Sequence, residues 1–102
     1  MHNIYDAIPK NLKTEVFDLL LDSEVVKIER IVSKGHKSPS GWYDQDDNEW
    51  ILLVKGAAIL SFADKSSITL KEGDFYNIPA HKKHRVKWTD PDIETVWLAI
   101  QY

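Results

Sequence analysis

The stretch that decides the fold is Gly73-Asp-Phe-Tyr-Asn-Ile-Pro79-Ala-His81-Lys-Lys-His84, in the second half of a chain of 102 residues. Glycine permits the tight turn that precedes a strand, and proline ends the strand because it has no N–H to donate to a ladder. His84 then opens a return strand, in which apolar Val86 and Trp88 alternate with basic residues. The stretch therefore predicts two strands joined by a turn that contains His81.

Short strand-like segments fill the rest of the chain from residue 24 onward. They are separated by turn sequences, Lys55-Gly56, Ala63-Asp64-Lys65, Lys71-Glu72-Gly73 and Thr89-Asp90-Pro91-Asp92. The predicted strands are 25–33, 49–54, 57–62, 66–70, 74–78, 83–88 and 94–101. Because no helix-length segment separates them, the pattern predicts an all-β sandwich, jelly roll or small barrel.

The beginning of the chain has a different period. Apolar residues recur at helical spacing between residues 10 and 22, at Leu12, Val16, Leu19 and Leu20. We therefore predict one short helix, preceded by an extended arm from Ile4 to Pro9. The predicted division is an arm and helix in residues 1–24, packed on a β-barrel in residues 25–102.

Composition limits the classes of function. The formal net charge is −3, which argues against a nucleic-acid partner, and there are no cysteines for disulfides or thiolate metal sites. No apolar run is long enough to span a membrane, and the first six residues lack the character of a signal peptide. We expect a cytoplasmic protein.

Two spaced patterns resemble the motifs of the cupin superfamily. The stretch from Gly73 to His84 is similar to the second cupin motif, G(X)5PXG(X)2H(X)3N. The segment Glu49-Trp-Ile-Leu-Leu-Val-Lys-Gly56 is similar to the second half of the first motif, G(X)5HXH(X)3,4E(X)6G. The resemblance covers residues 25–101 and implies the double-stranded β-helix, or jelly-roll barrel, of small single-domain cupins.

The chain departs from both motifs. In place of HXH it has Trp42-Tyr43-Asp44 or Tyr43-Asp44-Gln45, depending on whether the spacer before Glu49 has four or three residues. His81 stands at the glycine of the second motif, and Trp88 stands at its asparagine. Of the two histidines, glutamate and third histidine that usually hold the family's metal ion, only Glu49 and His84 carry over.

The resemblance implies one divalent metal ion, Zn, Ni, Fe or Mn, inside the barrel. The candidate metal ligands are Asp44, Gln45, Glu49, His81 and His84; Glu49 and His81 are also candidate catalytic residues, and Tyr43 and Trp97 are candidate ligand-binding residues. Glu49 lies on a strand that is apolar on both sides, where a carboxylate costs several kcal/mol unless it is paired. For His84 the alternative is a core histidine bonded to Glu49, and for His81 it is an exposed loop histidine.

Two functions follow from the resemblance and from the departures. The first is a metal-binding cupin that holds a small-molecule ligand and catalyses oxygenation, isomerisation or cyclisation of a small organic metabolite. The second is a metal-free barrel that binds or senses a sugar or another metabolite. In either case we expect a homodimer, because twofold pairs are the commonest oligomers. The N-terminal arm, with Ile4, Tyr5 and Ile8, and the last strand are the candidate contacts.

Overall fold

The computed structural model describes residues 2–102, which form eight strands and no α-helix. The strands are β1 (Val16–Asp22), β2 (Lys27–Ser33), β3 (Glu49–Lys55), β4 (Ala57–Phe62), β5 (Ser67–Lys71), β6 (Phe75–Ile78), β7 (His84–Thr89) and β8 (Thr95–Gln101). All seven predicted strands are confirmed, each to within two residues at either end. None of the described residues belongs to a helix with the length and apolar character that a membrane span requires.

The strands form two antiparallel sheets that enclose a core. The larger sheet has the order β1-β2-β8-β3-β6, and the smaller has the order β5-β4-β7. Residues 38–43 extend the smaller sheet beyond β7, because the Ser38 N–H donates to the Val86 carbonyl and Tyr43 and His84 exchange two backbone hydrogen bonds. This is the predicted jelly-roll barrel.

The predicted helix over residues 10–22 is wrong, because residues 16–22 form β1 at the edge of the larger sheet. Pairing with β2 places Phe17 opposite Ile31 and Asp18 opposite Arg30. In the strand, the backbone pairs with β2 and Asp18 pairs with Arg30. These tertiary interactions decide the structure of the segment, because the helical spacing of its leucines is only a weak local preference. The larger sheet therefore begins before residue 25, where the predicted barrel began.

The N-terminal arm is held against the larger sheet by one buried arginine. Arg30 points to the outer side of that sheet, where it forms an ion pair with Asp18 at 2.8 Å. Its Nη1 also donates to the backbone carbonyls of Ile4 and Asp6. Because arginine offers five N–H donors in a planar fork, a single side chain can hold both β1 and the arm.

The core fills one end of the barrel, between the two sheets. Its buried side chains are Ile51, Leu53, Ala58, Leu60, Phe62, Leu70, Ile78, Trp97 and Ala99. At this end Gly56 makes the turn from β3 to β4 with a φ of +95°, and a Cβ there would lie 2.4 Å from Thr95 Oγ1. Only glycine fits this turn, as the first motif implies.

Candidate functional site

A cavity of about 170 Å³ lies at the other end of the barrel. It is lined by Glu15, Phe17, Glu29, Ile31, Ser38, Tyr43, Gln45, Glu49, Ile51, Leu60, Ile78, His84, Val86, Trp97 and Gln101. Five of the seven predicted site residues belong to this lining: Tyr43, Gln45, Glu49, His84 and Trp97. The other two, Asp44 and His81, lie outside it.

Glu49 is the first residue of β3, and strand alternation points it inward with Ile51 and Leu53. Burial raises the pKa of the Glu49 carboxyl above its ordinary value of 4.5; the nearby His84 and hydrogen bonds from Gln45 and Gln101 act in the opposite direction. A carboxyl that is stabilised in its protonated form inside a cavity is suited to exchange protons with a bound molecule.

His84 is the first residue of β7 and is only 5% exposed. Its Nδ1 lies 2.8 Å from the Lys82 carbonyl oxygen, so in the neutral ring Nδ1 carries the proton and Nε2 is an acceptor. No hydrogen bond from any residue between 2 and 102 reaches Nε2, and the side chain lines the cavity. His84 therefore presents a free acceptor to a ligand.

The structure selects between the two alignments of the missing HXH. Tyr43 and Gln45 both line the cavity, whereas Asp44 between them points away from it. The three-residue spacer is therefore the one that matches the fold, and Tyr43 and Gln45 take the positions of the two histidines. The Tyr43 ring lies 5.9 Å from the His84 ring, centroid to centroid.

Asp44 and His81 form a separate pair on the surface. His81 Nδ1 lies 2.8 Å from Asp44 Oδ1, and the His81 side chain is 63% exposed. The backbone φ of His81 is +65°, a left-handed conformation that explains why the second cupin motif has glycine there. The His81 N–H also donates to the Gln45 carbonyl at 2.8 Å, so this residue holds the loop that carries Gln45.

Sequence reasoning did not predict the other ten lining residues, and four of these bear on the chemistry or shape of the cavity: Glu15, Phe17, Glu29 and Gln101. Gln101 lies directly opposite Glu49 in the sheet, and its Nε2 is 3.5 Å from Glu29 Oε1. Glu29 shares the parity of Ile31 along β2, which was an available signal for an inward side chain. Glu15 and Phe17 gave no such signal, since they belong to the segment with helical spacing.

These residues do not fit the metal ion that the cupin resemblance implies. Glu49 and His84 are strong ligands, but an amide and a phenol replace the other two histidines. Within residues 2–102, no group of three or more His, Cys, Asp or Glu side chains is arranged to hold a metal ion. Catalytic transition-metal sites usually have three such protein ligands.

Comparisons with known proteins agree with this fold. A profile of the cupin domain matches residues 29–101. A candidate mannose-6-phosphate isomerase of Ralstonia eutropha JMP134 is 39% identical, with a TM-score of 0.93, over 99% of this chain and 95% of that chain. No curated protein sequence matches the chain.

Two more distant structures show likeness of fold alone. A cupin superfamily protein of Desulfitobacterium hafniense DCB-2 is 22% identical, with a TM-score of 0.77, over 92% of this chain and 82% of that chain. An RmlC-like cupin family protein of Methanocaldococcus jannaschii with a double-stranded β-helix fold is also 22% identical, with a TM-score of 0.73, over 92% and 84%. The match of the family profile to residues 29–101 shows that the chain belongs to the cupin family.

Proposed function

We propose that the chain binds a small polyhydroxylated molecule of the sugar type in its cavity, without a metal ion. The observation that carries this proposal is a set of polar side chains that line the cavity beside its apolar residues: Gln45, Glu49, His84 and Gln101. His84 is buried and the other three are half-buried, and polar groups shielded from water in this way discriminate for ligands that satisfy their hydrogen bonds. The cavity is smaller than the roughly 300 Å³ at which drug-sized pockets begin, so it suits a small metabolite.

The apolar lining supports the same class of ligand. The aromatic rings of Trp97 and Tyr43 offer flat surfaces to the C–H faces of a sugar ring, while the amides and the carboxyl face its hydroxyl groups. The name of the 39% identical relative, a candidate mannose-6-phosphate isomerase, also points to sugars.

The alternative with a divalent metal rests on two strong ligands. Glu49 and His84 would hold Zn, Ni, Fe or Mn together with the Gln45 amide, a set that lacks the third histidine or carboxylate. We therefore expect protein purified without a nickel column to carry no stoichiometric metal. A bound metal, or a higher melting temperature on addition of one of these ions, would overturn the metal-free part of the proposal.

Binding is tested by NMR titration of ¹⁵N-labelled protein with neutral monosaccharides. We expect shifts of the side-chain amides of Gln45 and Gln101, and binding about tenfold weaker in Gln101→Met, which loses the hydrogen bonds of its amide. Asn77→Leu removes an amide from the outer side of β6 and is the matched control. Equal weakening by the two substitutions, or no shifts in either cavity amide, would contradict the proposal.

Proton transfer to the bound sugar is a second candidate function. The observation that favours it is the raised pKa of Glu49 beside the free Nε2 of His84. In an open-chain sugar, the Glu49 carboxylate would take the proton from the carbon next to the carbonyl, and His84 would move a hydroxyl proton. Return of the proton to the neighbouring carbon completes an isomerisation, in which nothing is oxidised or reduced overall.

Solvent exchange measures this step directly. In D₂O, we expect wild-type protein to introduce deuterium at the carbon next to the carbonyl, and Glu49→Gln to lose this exchange while it still binds the sugar. Glu72→Gln, on the distant β5–β6 turn, makes the same chemical change outside the cavity and should keep the wild-type rate. Exchange that persists in Glu49→Gln would exclude Glu49 as the base.

A further inference from the structure

The charges around the cavity are one-sided. Glu15, Glu29 and Glu49 all line it, and within residues 2–102 its lining includes no lysine or arginine. Glu29 lies close enough to raise the pKa of Glu49 by charge repulsion, so at least these two carboxyls act on the same space. Of the lining side chains, only His84 can carry a positive charge.

The three carboxyls are hydrogen-bonded to neutral donors rather than to cations. Glu15 Oε2 accepts from Ser33 Oγ at 2.9 Å, and Glu29 Oε1 accepts from Gln101 Nε2 at 3.5 Å. In the described part of the chain, none of the lysines or arginines forms an ion pair with them. No lysine or arginine within residues 2–102 therefore compensates the charge of Glu15 and Glu29, while the nearby His84 acts on Glu49.

The neighbouring arginines are engaged elsewhere. Arg30 follows Glu29 in β2, but it points to the opposite side of the sheet and pairs with Asp18. Arg85 follows His84 in β7, and its guanidinium carbon lies 4.6 Å from the centroid of the Trp42 ring. Because side chains alternate along a strand, Glu29 and His84 face the cavity and the arginine that follows each of them faces away from it.

We propose that the cavity selects an amino sugar over the neutral sugar and excludes the sugar phosphate. This inference rests on the proposed sugar-binding function and adds the charge of the ligand. The free Nε2 of His84, a side chain that is 5% exposed, supplies a fixed acceptor for a ligand N–H or O–H. The chain would then differ from its relative of Ralstonia eutropha, whose name points to a phosphorylated substrate.

Coulomb's law gives the expected size of the effect. Two unit charges a few ångströms apart, at an effective dielectric constant of about 20, change an affinity by more than tenfold. Salt weakens the effect, because the mouth of the cavity is open to solvent. The measurement therefore belongs at low ionic strength and neutral pH.

The test compares three ligands that share one scaffold: mannosamine, mannose and mannose 6-phosphate. By NMR titration we expect mannosamine to bind most tightly and the phosphate to bind at least about tenfold more weakly than mannose. A phosphate that binds as tightly as mannose would overturn the inference. Glu29→Gln should reduce the ratio of the phosphate and mannose dissociation constants severalfold, whereas Glu72→Gln on the β5–β6 turn should leave the ratio unchanged.

A second set of probes separates this inference from the sugar proposal. Butylammonium, butanol and butyrate differ in charge and lack the hydroxyl pattern of a sugar. If no sugar binds but butylammonium shifts the cavity resonances more than butyrate does, the charge inference holds and sugar binding fails. If butyrate binds as well as butylammonium, the charge inference fails. If none of the six compounds binds, both proposals fail.

Discussion

The inner and outer sides of the larger sheet differ in burial and polarity, and the difference is clearest along β3. Glu49, Ile51 and Leu53 point into the barrel, and the two apolar ones are at most 3% exposed. Trp50 and Leu52 point outward and are only half-buried. Along one strand, the inner side therefore carries both the core and a residue of the polar site, whereas Trp50 and Leu52 give the outer side an apolar surface.

The outer side continues as an apolar surface across four strands. We call it the outer apolar face and define it as Ile28, Trp50, Leu52, Phe75, Leu98 and Ile100. Sheet register makes the face continuous, because Leu52 lies between Leu98 and Phe75, and Trp50 lies opposite Ile100. Monomeric proteins seldom expose a contiguous apolar surface of this kind. The inner side of β3 thus combines a polar cavity end with an apolar core, whereas the outer apolar face has no partner within residues 2–102.

The largest expected effect comes from a pair of adjacent leucines. Leu53→Ala should lower the free energy of unfolding by about 2–5 kcal/mol, because it leaves a cavity at a fully buried site. Leu52→Ala makes the same change on the outer side and should lower it by about 1 kcal/mol or less. Urea unfolding at low protein concentration measures both values. Equal losses would show that the outer side is packed as tightly as the core.

A charge on the outer apolar face should break the dimer that we expect. The six side chains of this face are uncharged, so a second copy can cover them without bringing like charges together. By sedimentation, Leu52→Glu should raise the dissociation constant of the dimer at least about tenfold, since it buries an unpaired carboxylate.

Val25→Glu is the control for this substitution, because Val25 is 78% exposed in the β1–β2 turn and lies outside the outer apolar face. Wild-type protein that is monomeric at micromolar concentration would contradict the dimer. The last strand, one of the predicted contacts, would contribute Leu98 and Ile100 to this interface.

The strands of the barrel could be predicted from sequence because turn residues mark their ends, as at Gly56 and Gly73. The same pattern could not distinguish Leu52 from Leu53, since both sides of β3 are apolar. It also misread β1 as a helix, because Val16, Leu19 and Leu20 fit a helical period and only the pairing partner on β2 shows the strand.

The candidate site also contains some residues that sequence could predict and others that it could not. Glu49 and His84 follow from motif spacing alone, which fixes their places at the starts of two strands. Gln101 and Glu29 reach the cavity only through sheet register, which places Gln101 opposite Glu49 and Glu29 opposite Ala99. Asp44 and Gln45 are neighbours in sequence, and a one-residue change of spacer decides which of them points inward.

The pH dependence of stability tests the environment of the Glu49 carboxyl, the polar group on the inner side of β3. The pKa of Glu49 is raised in the folded protein, so between 4.5 and that raised value the folded state binds the proton that the unfolded chain releases. Stability should therefore fall as pH rises through this window. Glu49→Gln cannot ionise, so we expect it to melt at a higher temperature than wild type at neutral pH and at the same temperature in acid.

Melting curves recorded by circular dichroism across this pH range measure the difference. Glu72→Gln, on the exposed β5–β6 turn, is the matched control and should follow the wild-type profile. If the difference in melting temperature between Glu49→Gln and wild type were the same at every pH, the Glu49 carboxyl would not be stabilised in its protonated form.

The smallest expected effect concerns His81, at the rim between the two sides. His81→Gly relieves a left-handed backbone that costs about 1–2 kcal/mol, but it removes the exposed hydrogen bond to Asp44. We expect the two effects to nearly cancel, so that this variant lies within about 1 kcal/mol of wild type. His81→Ala keeps the strained backbone, loses the same bond, and should be less stable than His81→Gly by about 1 kcal/mol.

The same two variants decide between a structural and a chemical role for His81. The His81 side chain lies outside the cavity lining. We therefore expect both folded variants to introduce deuterium into the sugar at the wild-type rate. Loss of exchange in His81→Gly, with stability and sugar binding intact, would instead support the catalytic role that the sequence predicts. Urea unfolding and deuterium exchange on one preparation of each variant separate these outcomes, since strain acts on stability and proton transfer acts on rate.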